Sequence, residues 1–372
     1  MTEYEYEKYI ATKDDVKIIL DTYGVAIIPN ILNEEECQEM NDGMWNTLET
    51  LTELWETPIK RDNPESWREM KYLYPKHSML IQNWSIGHAQ YLWNIRQNPK
   101  IVEIFAKIWK CEKEDLLVSY DAVSYHMPPE TTNLGWYRGN DWFHCDQSYL
   151  DSKFKCVQGW VTGYDVNEGD ASLSILEESN DYHKEFQEKF GIEEKDDWYK
   201  LNENETEFYI KEKNCLPKRI KCPKGSLVLW DSRTIHCGSE ALKTRDKPNF
   251  RNVAYVCYEP RKNSTEKMLE KKRDAFNNKR MTSHWPCKVK LFPKMPRTYG
   301  GPIYEVSELP KPQLSELGKN VPANTYMTWN KNDLVYYFNK EVITYINCSC
   351  YTNQSEKNFM QRVSIKNNIF SI

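Results

Sequence analysis

Short β-rich runs from about residue 116 onward, turn signals between them, and metal-ligand residue types near the ends of two runs predict an α+β fold, mainly β. The architecture that suits them is a double-stranded β-helix flanked by helices, a jelly-roll (cupin-like) core with its site in an open mouth. At 372 residues the chain fits one elaborated catalytic domain. That domain is expected at 1–308, with bracing helices at 14–112, the core at about 116–260 and a substrate-side segment at 262–300. Residues 309–372 read as an extension of unassigned role.

Tyr23-Gly24-Val25-Ala26-Ile27-Ile28-Pro29 reads as a buried strand that stops at proline. Asn33 suits a helix N-cap, followed by Glu34, Glu35 and Glu36 where the helix dipole favours acids. Asn98-Pro99 opens another helix, with Ile101, Ile104, Phe105 and Ile108 on one face. These helices are expected to brace a sheet and carry no chemistry. Strands follow at 116–120, 156–161, 226–230 and 252–258, with the turn Pro223-Lys224-Gly225 before the third. The stretch 177–220 reads as a charged, partly helical insertion, and 266–276 as a helix.

Hydrophobic residues make up 40% of the chain and charged ones 28%, a balance that supports a folded core. The net charge of -5 argues against nucleic acid as a partner, because phosphate binding needs a basic face. Basic runs at 218–224 and 271–279 read as solvated faces. Met1 to Tyr9 is acidic and tyrosine-rich, unlike a signal peptide, and no stretch approaches the ~18 apolar residues of a membrane span. A cytoplasmic protein with no membrane partner is therefore the expectation. Eleven cysteines, an odd number without a CxxC, point to neither a disulfide framework nor a zinc knuckle; Cys348-Ser349-Cys350 is poorly spaced for zinc.

The chemistry concentrates in His144-Cys145-Asp146, His236 and Arg251. Residues two apart in a strand point to one side, so His144 and Asp146 can supply two ligands from one short segment. His236 follows the 226–230 strand and is expected to return to the same mouth from the far wall. Two imidazoles and a carboxylate can cap one face of a ferrous ion and leave the other open for water, a 2-oxo acid and O2. Arg251, at the start of an apolar strand, suits the remote carboxylate of 2-oxoglutarate, because guanidinium grips carboxylate through two parallel hydrogen bonds. Each residue also has a plain structural reading: a buried hydrogen-bonded His144, a turn-capping Asp146, a His236 that orients the Cys237-Gly238 loop, and an Arg251 paired with Asp246 or Glu259. Cys145 alternates to the opposite face, which argues against a thiol nucleophile. His77, His88 and His126 have no partner pattern and read as structural; His183 is expected to line the entrance or cap a turn, and His284 to lie near the substrate opening. The same ligands are compatible with a non-oxidative metalloenzyme using Mn, Co or Ni, and a jelly-roll protein that only binds is the remaining rival.

From Tyr23 to Pro286, with a weaker echo to Gly318, the chain resembles the phytanoyl-CoA dioxygenase-like family of Fe(II)/2-oxoglutarate oxygenases. The resemblance rests on Trp142-Phe143-His144-Cys145-Asp146-Gln147, Cys156-Val157-Gln158-Gly159-Trp160, Gly169-Asp170-Ala171-Ser172-Leu173, the run from Gly225 to His236, and Arg251 with Val253-Ala254-Tyr255-Val256. It implies that His144, Asp146 and His236 bind Fe(II), that Arg251 binds the far carboxylate of 2-oxoglutarate, and that Trp160 lies against this cosubstrate. It implies hydroxylation of a small molecule or side chain, with O2 consumed and succinate and CO2 released. Asp146 favours that outcome, because related halogenases lack the carboxylate. Two departures argue against phytanoyl-CoA as the substrate. Glu178-Ser179-Asn180-Asp181-Tyr182-His183 replaces a Pro-Gly-Ser-His turn, and Thr282-Ser283-His284-Trp285-Pro286 resembles a largely uncharacterised subgroup.

Overall fold

The computed structural model describes residues 3–73, 79–298 and 300–320; His77, Cys348, Cys350 and residues 321–372 lie outside them. Every described residue belongs to one compact unit. In chain order its strands begin with β1 (Glu3–Glu5), β2 (Val25–Ile28), β3 (Leu80–Ile81), β4 (Leu116–Val118), β5 (Val123–His126) and β6 (His144–Cys145). They continue with β7 (Val157–Thr162), β8 (Ser172–Leu176), β9 (Tyr199–Lys200), β10 (Pro217–Ile220), β11 (Leu227–Asp231), β12 (His236–Ser239) and β13 (Arg251–Pro260). Two large sheets result. One has the order β1-β10-β8-β12-β6-β9; the other runs β2-β11-β7-β13-β5-β3, with β4 also paired to β13.

Alternation along the strands sorts residues between two cores. In β7, Val157 and Val161 turn outward into the large helix-covered core, whereas Trp160 turns inward with Val228, Trp230 and Val253 to meet Leu173 and Ile175 of the other sheet. The helices α1 (Val16–Tyr23), α2 (Glu34–Leu51), α3 (Gln90–Arg96) and α4 (Pro99–Trp109) supply the outer layer. Asn33 and Glu36 form a reciprocal capping box at 2.8 Å each, which satisfies two backbone N–H groups at the start of α2. Asn98 caps α4 and Pro99 opens it, with Ile101, Ile104, Phe105 and Ile108 buried as the spacing predicts. Gly24 ends α1 at φ 75°, and an added Cβ would stand 2.5 Å from both Asn180 Oδ1 and Thr234 Oγ1. Its carbonyl accepts from Thr234 Oγ1 at 2.8 Å, so this turn also anchors the loop that leads to His236.

Two expectations need correction. The basic runs are not simply solvated: Lys218 and Lys224 pair with Glu3 and Glu34, but Arg219 and Lys272 are 2% and 1% exposed. Arg219 donates to Tyr4 Oη and the Glu240 carbonyl, and burial pulls the Lys272 ammonium down to about 7. A charge-pattern reading could not see this, because helix 266–277 folds one basic face inward over Tyr120. Of the two readings of His183, capping a turn fits and lining an entrance does not, since its ring meets the carbonyl that closes the Ser148–Asp151 turn. His183 is buried, stacked on Tyr149 at 4.3 Å, with Nε2 against the Ser148 carbonyl at 3.1 Å. Nine cysteines among the described residues are free thiols, and no helix there is long and apolar enough to cross a membrane.

His88 and His126 are structural, as expected: Nε2 of each faces a backbone carbonyl at 3.0 Å, of Arg280 and Gly135 respectively. Burial pushes both imidazoles down to about 3. Between the unfolded value near 6.5 and the folded value near 3, the unfolded chain binds protons that the folded chain refuses. Their stabilisation is therefore complete above about pH 6.5 and is lost as pH falls. Each is expected to remove about 1.4 kcal/mol of unfolding free energy per pH unit in that window. Urea unfolding at pH 7, 6 and 5 checks this, and His126→Gln should flatten the slope. A profile that is level over that range would contradict it.

Candidate metal centre

β6 presents His144, and Asp146 follows at the next position on the same face. His144 Nε2 lies 3.6 Å from Asp146 Oδ1. Cys145 alternates to the other face, fully buried in a cluster with Tyr149, Phe186 and Tyr209, and burial pushes its thiol up. That is an inert environment for a nucleophile.

The expected far-wall origin of His236 is corrected. β11 belongs to the seven-stranded sheet, but residues 232–235 carry the chain across to the six-stranded sheet. There β12 pairs antiparallel with β6, and His236 is the direct cross-strand partner of His144. Direct partners share a face at about 4.5–5.5 Å between Cβ atoms, so the pairing itself brings both rings together. Their centroids are 4.3 Å apart, and His236 Nε2 lies 3.4 Å from Asp146 Oδ2.

Backbone carbonyls set both tautomers. His144 Nδ1 faces the Trp142 carbonyl at 3.2 Å, and His236 Nδ1 faces the Thr234 carbonyl at 2.9 Å. A ring nitrogen against a carbonyl carries the proton, which leaves each Nε2 lone pair directed at Asp146. Burial, with His236 adding, pushes the His144 imidazole down to about 3, so it is a neutral donor. Burial alone would raise the Asp146 carboxyl, but the imidazoles of His284, His236 and His144 outweigh it and hold it well below the usual carboxylate range. One ligand atom from each of His144, Asp146 and His236 lies within 4.8 Å of the others. The 3.4 and 3.6 Å separations fall short of the ~4.4 Å between ligands on opposite sides of a cation at ~2.2 Å. The three donors are therefore close enough to converge on a single cation.

Arg251 opens β13 on the inner face of the opposite sheet. Its Nε donates to Ser124 Oγ at 2.9 Å and its Nη1 to the Ala171 carbonyl at 3.1 Å. The guanidinium lies 5.4 Å from the Trp160 ring centroid, with Tyr255 beside it. Neither Asp246 nor Glu259 pairs with it; Glu259 accepts from Cys287 N at 2.8 Å instead. Arg251 is 5% exposed and has no carboxylate partner among the described residues. A buried cation without a counter-ion costs several kcal/mol, which an anionic ligand would offset. Nearby, Trp160 Nε1, Trp230 Nε1 and Gln158 Oε1 are buried without hydrogen-bond partners among the described residues, and the Trp230 ring is 5.3 Å from His236.

Sequence reasoning did not single out Ser124, Gln158, Trp230 or Tyr255. Alternation within their strands was the available signal: Gln158 and Trp160 share a face, as do Arg251, Val253 and Tyr255. His284 stands beside the triad, with Nδ1 3.9 Å from Asp146 Oδ2. A separate groove of about 530 Å³, lined among others by Met40, Tyr91, Ile95 and Leu317, contains none of the predicted site residues.

The six-stranded sheet brings two imidazoles and a carboxylate to one buried point, a donor set that could hold a metal ion. The sequence profile of the phytanoyl-CoA dioxygenase (PhyH) family matches residues 20–248, more than half of the chain, and the chain belongs to that family of iron- and 2-oxoglutarate-dependent oxygenases. It is 27% identical over 231 residues to Ava biosynthesis cluster protein O of Aspergillus versicolor, spanning 60% of this chain and 68% of that one. The crystal structure of hypothetical protein JW0805 from Escherichia coli superposes with a TM-score of 0.50 at 12% identity, covering 76% of this chain and 80% of that one; the likeness is one of fold. The epimerase SnoN, crystallised with Fe3+, alpha ketoglutarate and a nogalamycin compound, superposes with a TM-score of 0.42 at 11% identity, covering 67% of this chain and 83% of that one.

Proposed function

We propose that the protein is an iron(II)- and 2-oxoglutarate-dependent dioxygenase that hydroxylates an organic substrate, and that its two sheets form a double-stranded β-helix. We assign the activity to residues 1–308. His144, Asp146 and His236 hold the iron, Arg251 grips the far carboxylate of 2-oxoglutarate, and Trp160 lies against that cosubstrate. The observation that carries this reading is the pairing of a two-histidine, one-carboxylate donor set with a buried guanidinium that has no carboxylate partner among the described residues. Bound iron(II) would supply activation of O2 coupled to decarboxylation of 2-oxoglutarate to succinate and CO2.

The chain's own residues do the positioning. The Trp142 and Thr234 carbonyls keep both Nε2 atoms aimed at the ion. Ser124 and the Ala171 carbonyl occupy part of the Arg251 fork and set its plane, so its remaining donors are pre-oriented for a carboxylate. The indole N–H groups of Trp160 and Trp230 are donors still to be matched, and an oxygen-rich dianion matches them. The sheets exclude water from these groups, which strengthens each electrostatic contact. Protein equilibrated with iron(II) and 2-oxoglutarate without oxygen is expected to bind one of each. Metal uptake without 2-oxoglutarate binding or O2 consumption would favour a non-oxidative metalloenzyme and sink the proposal.

A further inference from the structure

The insertion between Glu177 and Ile220 returns an edge strand to the site. β9 pairs with β6, with Lys200 opposite His144. Directly opposed residues share a face, as do residues two apart along a strand. Trp198 thereby comes to the face that carries the triad. Its indole stands 5.7 Å from the His144 ring and is 51% exposed. Trp142 stacks on the same imidazole at 4.5 Å and 8°, its Nε1 donating to the Gly238 carbonyl at 2.9 Å.

The segment after helix 266–277 closes the other side. Thr282 N donates to the Tyr120 carbonyl and Thr282 Oγ1 accepts from Tyr120 N, both at 3.0 Å, which holds His284 beside the triad. His284 Nδ1 is directed toward Asp146, at a distance too long for a direct hydrogen bond. His284 Nε2 is buried and has no hydrogen-bond partner among the described residues. Lys288 lies 4.2 Å over the Trp285 ring and pairs with Asp197, the neighbour of Trp198, at 3.1 Å. An exposed pair of this kind adds at most about 1 kcal/mol; its consequence is that it ties the two rims together.

A buried ring nitrogen without a partner costs about 1–3 kcal/mol, and the half-exposed indole just before β9 leaves apolar surface uncovered. One guest can satisfy both. Resting on the reading of the triad as an iron site, we propose that Trp198 and His284 form the substrate subsite, which takes a planar aromatic molecule bearing a hydroxyl or N–H group. The ring lies against Trp198, and the polar hydrogen points at His284 Nε2. A saturated ring or acyl chain of equal size offers no flat face to the indole.

Phenol, anisole and cyclohexanol separate these contributions when titrated by calorimetry into protein loaded with iron(II) and 2-oxoglutarate without oxygen. Phenol is expected to bind about tenfold more tightly than either of the others. Trp198→Ala should erase the preference over cyclohexanol, and Trp198→Phe should restore most of it. His284→Ala should erase only the preference over anisole. Equal binding of the three probes to the loaded wild-type protein would overturn the subsite, as would preferences that survive both alanine substitutions. Failure of the wild-type protein to take up iron or 2-oxoglutarate is a different result, and it would overturn the function reading and the subsite together.

Discussion

Asp146→Ala is expected to abolish iron(II) retention and to lower substrate-triggered succinate formation by at least about a hundredfold. Removing only the hydrogen-bond partner of a metal ligand typically costs ten- to a hundredfold in affinity or activity, so losing the ligand itself should exceed that. Asp146 is the one anionic donor of the set, and its two oxygens face His144 Nε2 and His236 Nε2 separately. Without it, two neutral imidazoles remain and nothing balances the cation's charge. His144→Ala should have the same outcome by a different route, leaving the carboxylate with a single ligating imidazole. Metal content after gel filtration, succinate yield and a far-ultraviolet dichroism spectrum together test this. A folded Asp146→Ala protein that still turns over 2-oxoglutarate at the wild-type rate would refute the iron assignment.

Arg251→Ala should raise the 2-oxoglutarate concentration needed for half-maximal turnover by about two orders of magnitude, since each hydrogen bond to a charged group contributes about 1.5–3 kcal/mol and a fork makes two. The effect should fall on cosubstrate affinity while metal content is kept, because Arg251 stands on β13 and the triad on the other sheet. Arg251→Lys should recover little, since a point charge cannot hold Ser124, the Ala171 carbonyl and a carboxylate in one plane. An unchanged cosubstrate requirement in Arg251→Ala would move the anchor elsewhere, with the unpartnered indoles of Trp160 and Trp230 as the next groups to test.

Much of this was legible in the chain itself, wherever the cause is local. The Asn33 capping box, the Asn98-Pro99 helix start and the apolar face of α4 are set within a few residues and came out as expected. The His-x-Asp spacing determined that two ligands share a face and that Cys145 does not. Pairing between distant strands was not legible, because the hydrogen-bond register that sets it involves residues far apart in sequence. Tertiary structure alone made His236 the cross-strand partner of His144 instead of a visitor from the far wall, turned Lys272 and Arg219 inward, and brought a strand of the charged insertion to the rim beside Trp198 and His284. The sequence by itself thus determined which side chains carry the chemistry proposed for a cation and an anion. Only the folding of two sheets around them, which buries them and leaves Arg251 with no carboxylate partner among the described residues, decided how they are placed.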